Sequence, residues 1–218
     1  FILSLIKKNE RTMDPSQIIT LRKEHQKFFK EHKNQPVKIR INYLKKLKQV
    51  LVNHENEIYK ALDKDLKKPL FESFTSEFLM VQKELDLFIK NLREWSAPKR
   101  VSGSLINFPS QDFIITEPYG TILMISPWNY PFQLAMIPLI GAISAGNTVV
   151  LKPSESAPHT AKILVEILSQ VFPKGFVAVV QGDSKVAKEL LKKKWEYIFF
   201  TGSTAVGRII AKAAAEFL

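Results

Sequence analysis

Residues 118–151 contain no Asp, Glu, Lys or Arg, in a chain in which 24% of residues are charged. A stretch this long and uncharged has to be buried, in lipid or in protein. Pro127, Asn129, Pro131, Pro138, Gly141, Gly146 and Asn147 interrupt it. That is too often for one continuous apolar helix, because proline removes a backbone donor and clashes with the preceding turn. The run therefore reads as a buried strand at 121–125, a buried helix at 132–144 and a second strand at 148–151, with no membrane span.

The alternation continues to the end of the chain. Residues 176–180 and 197–200 read as strands, and 157–171, 185–193 and 204–217 as helices. Short β-rich runs alternating with longer helical patterns predict an α/β fold, a Rossmann-like parallel sheet of βαβ units. Ligands in such sheets bind at the carboxyl ends of the strands.

The preceding residues differ in period. Ile18, Leu21, His25, Phe28 and Phe29 recur at spacings of three and four behind Pro15-Ser16, and Val37, Ile41, Leu44, Leu47 and Leu51 do so behind Pro36. Ile58, Leu62 and Leu66 form a third stripe, and Phe74, Phe78, Val81, Leu85, Phe88, Leu92 and Trp95 a fourth. These predict core faces of antiparallel helices. Between 97 and 119, Pro98, Gly103, Pro109 and Pro118 punctuate short β-type runs at 105–108 and 113–116. That pattern predicts an extended β arm of the kind that pairs with another subunit. The expected organisation is a possible upstream extension at 1–12, a helical segment at 13–96, the arm at 97–119 and a nucleotide-binding domain at 120–218.

The net charge is +11, and it is uneven: residues 1–100 hold 22 Lys+Arg against 13 Asp+Glu, the rest 10 against 8. The lysines of the basic half fall at many helical phases and alternate with acids, as in Lys23-Glu24, Lys30-Glu31 and Asp63-Lys64-Asp65-Lys67. This is the pattern of a solvated surface rather than a nucleic-acid face. The chain has no cysteine, so no disulfide framework is possible, which fits a reducing, cytoplasmic setting. His25, His32, His54 and His159 are scattered, and no cluster has metal-ligand spacing.

Three motifs sit at expected strand ends. Asn129, held between Pro127 and Pro131, has a side-chain amide able to donate to a developing oxyanion, although a loop Asn is also a common turn residue. Lys152 and Glu155 could both reach a ribose. Alternatively, Glu155 favours the positive end of the next helix and Lys152 snorkels to water. Gly202-Ser203-Thr204-Ala205-Val206-Gly207 opens a helix and suits a phosphate, or is a helix cap and no more. Its spacing is neither the usual dinucleotide fingerprint nor a P-loop.

In their order and spacing these motifs resemble the aldehyde dehydrogenase superfamily, in particular the class 3 branch that acts on fatty and aromatic aldehydes. The resemblance is carried by Glu117-Pro118-Tyr119-Gly120, Ser126-Pro127-Trp128-Asn129-Tyr130-Pro131, the run from Ala145-Gly146-Asn147 to Lys152-Pro153-Ser154-Glu155, Val179-Val180-Gln181-Gly182 and Phe200-Thr201-Gly202-Ser203. It implies NAD or NADP as cofactor, an aldehyde as substrate and a homodimer as the complete assembly. Asn129 would be the oxyanion-hole amide, and Ser126, Pro127 and Trp128 would line the nicotinamide-ribose side. Lys152 and Glu155 would hold the adenosine ribose, Gly202, Ser203, Thr204, Ala205, Val206 and Gly207 would face the pyrophosphate, and Tyr130 would look into the aldehyde tunnel. The family's nucleophilic Cys and its Glu-Leu-Gly-Gly-type segment with the general base are missing, and both normally follow the point where this chain stops. The expectation is thus an amino-terminal fragment, inactive alone. The alternative is a non-catalytic nucleotide-binding or interaction protein on the same scaffold.

Overall fold

A computed structural model describes residues 14–33, 35–103, 106 and 108–217. The possible extension at 1–12 lies outside them. Helix α1 (Pro15–His32) starts with a capping box. The Asp14 side chain accepts from the Ser16 amide, Gln17 answers from the first turn, and Pro15 occupies a position where a missing N–H costs nothing. Helices α2 (Val37–Asn53) and α3 (Glu55–Leu66) follow. A short α4 (Leu70–Glu72) runs through a π-helical segment, Ser73–Phe78, into α5 (Leu79–Trp95).

The π segment corrects the predicted fourth stripe. One extra residue in the turn rotates everything upstream by roughly a quarter of a revolution. As a result Phe74 is left partly exposed, while Ser73 and Glu77 are fully buried. Trp95, at the far end of the same stripe, is exposed as well.

The arm pairs β1 (Lys99–Val101) with β2 (Asp112–Ile114), antiparallel. The first strand therefore precedes the expected run at 105–108. Of that run Ile106 and Phe108 lie in turns, and Leu105 and Asn107 are outside the described residues. Pro109, lacking an N–H, cannot extend a ladder there.

Strands β3 (Thr121–Ile125), β4 (Thr148–Lys152), β5 (Val177–Val179) and β6 (Tyr197–Phe200) form one parallel sheet in the order β5-β4-β3-β6. They are joined by α6 (Gln133–Ala145), α7 (Pro158–Val171) and α8 (Ser184–Leu191), with α9 (Thr204–Ala215) after β6. All four strands and all four helices fall where the hydrophobic period put them. Burial on both faces accounts for the near-continuous apolar strands.

Each face has its own core. On one, α6 and α7 lie on the sheet and α2, α3 and α5 pack outside them, in a cluster running from Leu44 and Leu85 through Ile140 and Leu164 to Val149. On the other, Leu123 and Val150 meet α8 and α9 and also Ile18 of α1. So α1 is not a member of the antiparallel helical group that its period suggested; it covers the second face of the sheet. His25 of α1 is buried there, its Nδ1 2.8 Å from the Leu21 carbonyl, and burial lowers its pKa below the ordinary histidine value. No described helix is long and apolar enough to cross a membrane.

Candidate active site

The strand order creates the site. The chain moves from β3 outward to β4 and β5, then returns to place β6 on the other side of β3. The carboxyl ends of β3 and β6 thus flank the point where the winding reverses, where sheets of this kind open a crevice. The register sets Ile125 beside Lys152 on one side and beside Phe200 on the other. Two backbone bonds extend it by one residue, Ser126 N–H to the Lys152 carbonyl (3.1 Å) and Thr201 N–H to the Ile125 carbonyl (3.2 Å). Residues 126–130, 152–155 and 202–207 are therefore brought together on one edge of the sheet.

The loop after β3 leaves Trp128 and Asn129 exposed and Tyr130 half-buried. Among the described residues the Asn129 side-chain amide makes no hydrogen bond to its own turn, and only its backbone carbonyl is bonded, by Lys68 Nζ at 3.2 Å. The Ser126 hydroxyl is buried without a hydrogen-bond partner among them.

Lys152 does not snorkel. It is 2% exposed, and its ammonium donates to the Pro153 carbonyl at 2.7 Å and to Glu155 Oε2 at 3.4 Å. Burial lowers its pKa; the Glu155 carboxylate, and more distantly Asp183, pull it back up. Glu155 itself stays open to solvent on the rim. The capping hydrogen bonds of α7 come from elsewhere. Asp65 on α3 accepts from the His159 and Thr160 amides (3.0 and 2.7 Å), from the Thr160 hydroxyl (2.7 Å) and from His159 Nδ1 (2.7 Å). The Asp65 side chain is fully buried, which corrects its reading as part of a solvated charge alternation.

The turn after β6 has a local cap, Ser203 Oγ accepting from the Val206 amide at 3.4 Å. Residues 202–206 are exposed. Gly202 has a structural reason of its own: a Cβ there would lie 2.4 Å from Cζ of the Phe200 ring. The ring occupies the space a side chain would need, whatever ligand approaches the turn from outside.

Two residues that the sequence did not single out stand behind the β3 loop. Glu77, fully buried in the π segment, receives Lys68 Nζ at 2.6 Å on one oxygen and the Phe132 and Gln133 amides (3.0 and 2.9 Å) on the other. Burial raises its pKa, against the pull of Lys68 and the two amides. The one available signal was a glutamate at an inward phase of an apolar helix, ahead of a helix that lacks its own capping residue. A cavity of about 590 Å³ lies at the opposite, amino end of the sheet, between Arg40, Phe88, Trp95 and Ser144, and shares no residue with 126–130, 152–155 or 202–207.

The aldehyde dehydrogenase family model matches residues 9–218, nearly the whole chain. The chain belongs to the aldehyde dehydrogenase family. It is 46% identical over 179 residues to aldehyde dehydrogenase family 3 member H1 of Arabidopsis thaliana, covering 82% of this chain and 37% of that protein. Over 190 residues it is 44% identical to family 3 member B3 of Mus musculus, covering 87% and 40%. Against 4,4'-diaponeurosporen-aldehyde dehydrogenase of Staphylococcus aureus it is 38% identical over 189 residues, covering 87% and 41%. In structure it is similar to the substrate-bound state of Staphylococcus aureus AldH, with a TM-score of 0.89 at 37% identity over 91% of this chain and 43% of that one. A Mycobacterium tuberculosis aldehyde dehydrogenase complexed with NAD+ superposes with a TM-score of 0.84 at 25% identity, covering 94% and 42%. The chain thus spans about 40% of the length of the curated relatives it matches.

Proposed function

We propose that this chain is the amino-terminal part of an NAD(P)-dependent enzyme that oxidises an aldehyde to a carboxylic acid. The observation that carries this reading is the meeting of residues 126–130, 152–155 and 202–207 on one carboxyl edge, astride the reversal between β3 and β6. The residues suit a dinucleotide. The Thr204 and Ala205 amides at the start of α9 face solvent with no helical partner, a setting for a pyrophosphate. Lys152 and the rim carboxylate of Glu155 together offer a donor and an acceptor for ribose hydroxyls, and Ser126, Pro127 and Trp128 line the approach to Asn129. When bound, the cofactor supplies the hydride acceptor.

Asn129 is the oxyanion donor in this reading. Its amide is exposed and not spent on its own turn, while the backbone beneath it is tied down. Tyr130, half-buried beside it, forms part of the wall that the aldehyde meets. The thiolate and the general base that the family uses are not among these residues, since the chain contains no cysteine and the reaction needs a nucleophile to make the tetrahedral adduct from which hydride leaves. The exposed apolar side chains of Phe113, Ile114 and Ile115 on the arm favour pairing of two subunits there, and the cysteine-free composition favours a cytoplasmic setting.

A complete polypeptide carrying residues 1–218 should reduce NAD(P)+ in the presence of medium-chain or aromatic aldehydes and release the acid, while the purified 218-residue chain should not. Turnover by the short chain would contradict this division of labour. Absence of turnover in the complete one, with intact cofactor binding, would favour a non-catalytic nucleotide-binding protein.

A further inference from the structure

The β3 loop is anchored at both ends by one buried ion pair. At its start Lys68 Nζ bonds the Asn129 carbonyl at 3.2 Å and lies 4.0 Å from the centroid of the Tyr130 ring. At its end the Glu77 carboxylate takes the Phe132 and Gln133 amides, the free N–H groups that open α6. The two side chains meet at 2.6 Å, 6% and 0% exposed. Isolated buried charges are costly, and such a pair persists only when its remaining donors and acceptors are also satisfied. Here residues 129–133 satisfy them, with the half-exposed Glu72 carboxylate a further 3.9 Å from Lys68 Nζ. Glu77 is buried within the π segment, and the Ser73 hydroxyl steadies the Lys68 carbonyl at 3.4 Å.

We propose that Lys68 and Glu77 are positioning residues for the aldehyde-facing loop: Lys68 fixes the backbone of Asn129 and the plane of Tyr130, and Glu77 fixes the start of α6. The pair touches no reacting atom. Its effect is geometric, and a donor aimed at a developing oxyanion is sensitive to displacements of the order of 1 Å. The inference rests on the functional reading of Asn129 given above.

The test uses the complete polypeptide and the double variant Lys68→Met/Glu77→Gln. Removing both charges avoids a stranded one, and the glutamine carbonyl can still accept from Phe132 and Gln133, so α6 keeps its cap while the tie to Asn129 and Tyr130 is lost. The expected result is a kcat at least tenfold lower, a Kd for NAD(P)+ within twofold of wild type, and at least tenfold faster hydrogen exchange of the Leu134 amide, which bonds the Tyr130 carbonyl at 2.9 Å. Unchanged kcat per folded molecule together with unchanged exchange would overturn the proposal. A change in melting temperature with no change in kcat would reduce the pair to a structural role and overturn it equally. If the wild-type protein oxidises no aldehyde, the functional reading fails separately, and the exchange measurement alone then decides the clamp: faster exchange upholds it and equal exchange ends it.

Discussion

Helices α6 and α7 and helices α8 and α9 do the same job in the same sheet, yet they begin in opposite ways. The first two start behind Phe132 and Ala157, with no side-chain cap of their own, and take their caps from Glu77 and Asp65 in the helical segment. The last two carry Asp183 and Ser203 at their own N-caps. The remotely capped pair follows the strands whose ends hold Asn129, Lys152 and Glu155, while of the locally capped pair α9 opens at the glycine turn. The helical segment is therefore part of the site's construction, while the 202–207 turn is built from its own sequence.

The sharpest way to break this contrast is to remove the helical segment. Residues 97–218 alone should lack a cooperative thermal transition, because one continuous core joins α2 and α5 to α6 and α7 and two helix starts would lose their caps. A cooperative melt of that piece by circular dichroism would show the two regions to be independent.

Single cap deletions grade the same contrast. Asp65→Ala strands two backbone amides and a hydroxyl around a buried side chain, and should cost about 2–3 kcal/mol. Ser203→Ala removes one long bond at an exposed turn and should cost about 0.5–1 kcal/mol. Urea unfolding of both variants gives the order, and equal losses would erase the distinction between remote and local caps.

The second face supplies a smaller, pH-dependent effect. His25 is buried against the sheet, and burial depresses its pKa below the ordinary 6.5. The unfolded chain then binds more protons than the folded one between the two values, so stability falls as pH drops through 6.5 towards the folded pKa and is recovered above 6.5. His25→Leu should flatten that limb of the stability curve, and an unchanged acid limb would exclude His25 as its source.

Gly202 separates packing from ligand approach. Gly202→Ala alone forces the Phe200 ring to move. Gly202→Ala with Phe200→Leu should restore most of the melting temperature, but not the affinity for NAD(P)+ if the exposed backbone of the turn meets the pyrophosphate.

The sheet was legible because β-rich runs such as Thr148–Lys152 and helical stretches such as Pro158–Val171 announce their period locally. The motifs were legible for the same reason, each sitting just past a strand. What the period could not convey was which face a helix would cover. The stripe of α1 is the same whether it meets other helices or the sheet, and only the fold sends Ile18 to Leu123 and Val150. The π turn was hidden because a one-residue phase slip looks like a slightly ragged stripe. Asp65 and Glu77 were hidden because their partners lie far along the chain, so Asp65 resembled any acid in a solvated run. Phe132 and Ala157 offer no capping side chain, a local signal that leaves the partner unnamed.

We propose that this chain brings an oxyanion donor, Asn129, to the carboxyl edge of β3. Asn129→Ala in the complete polypeptide tests it most directly, by stopped-flow turnover measured beside cofactor affinity and a thermal melt. The account predicts a kcat lower by roughly 10²–10³, with Kd for NAD(P)+ and the melting temperature nearly unchanged. A variant that turns over normally, or one whose only defect is a lower melting temperature, would contradict it.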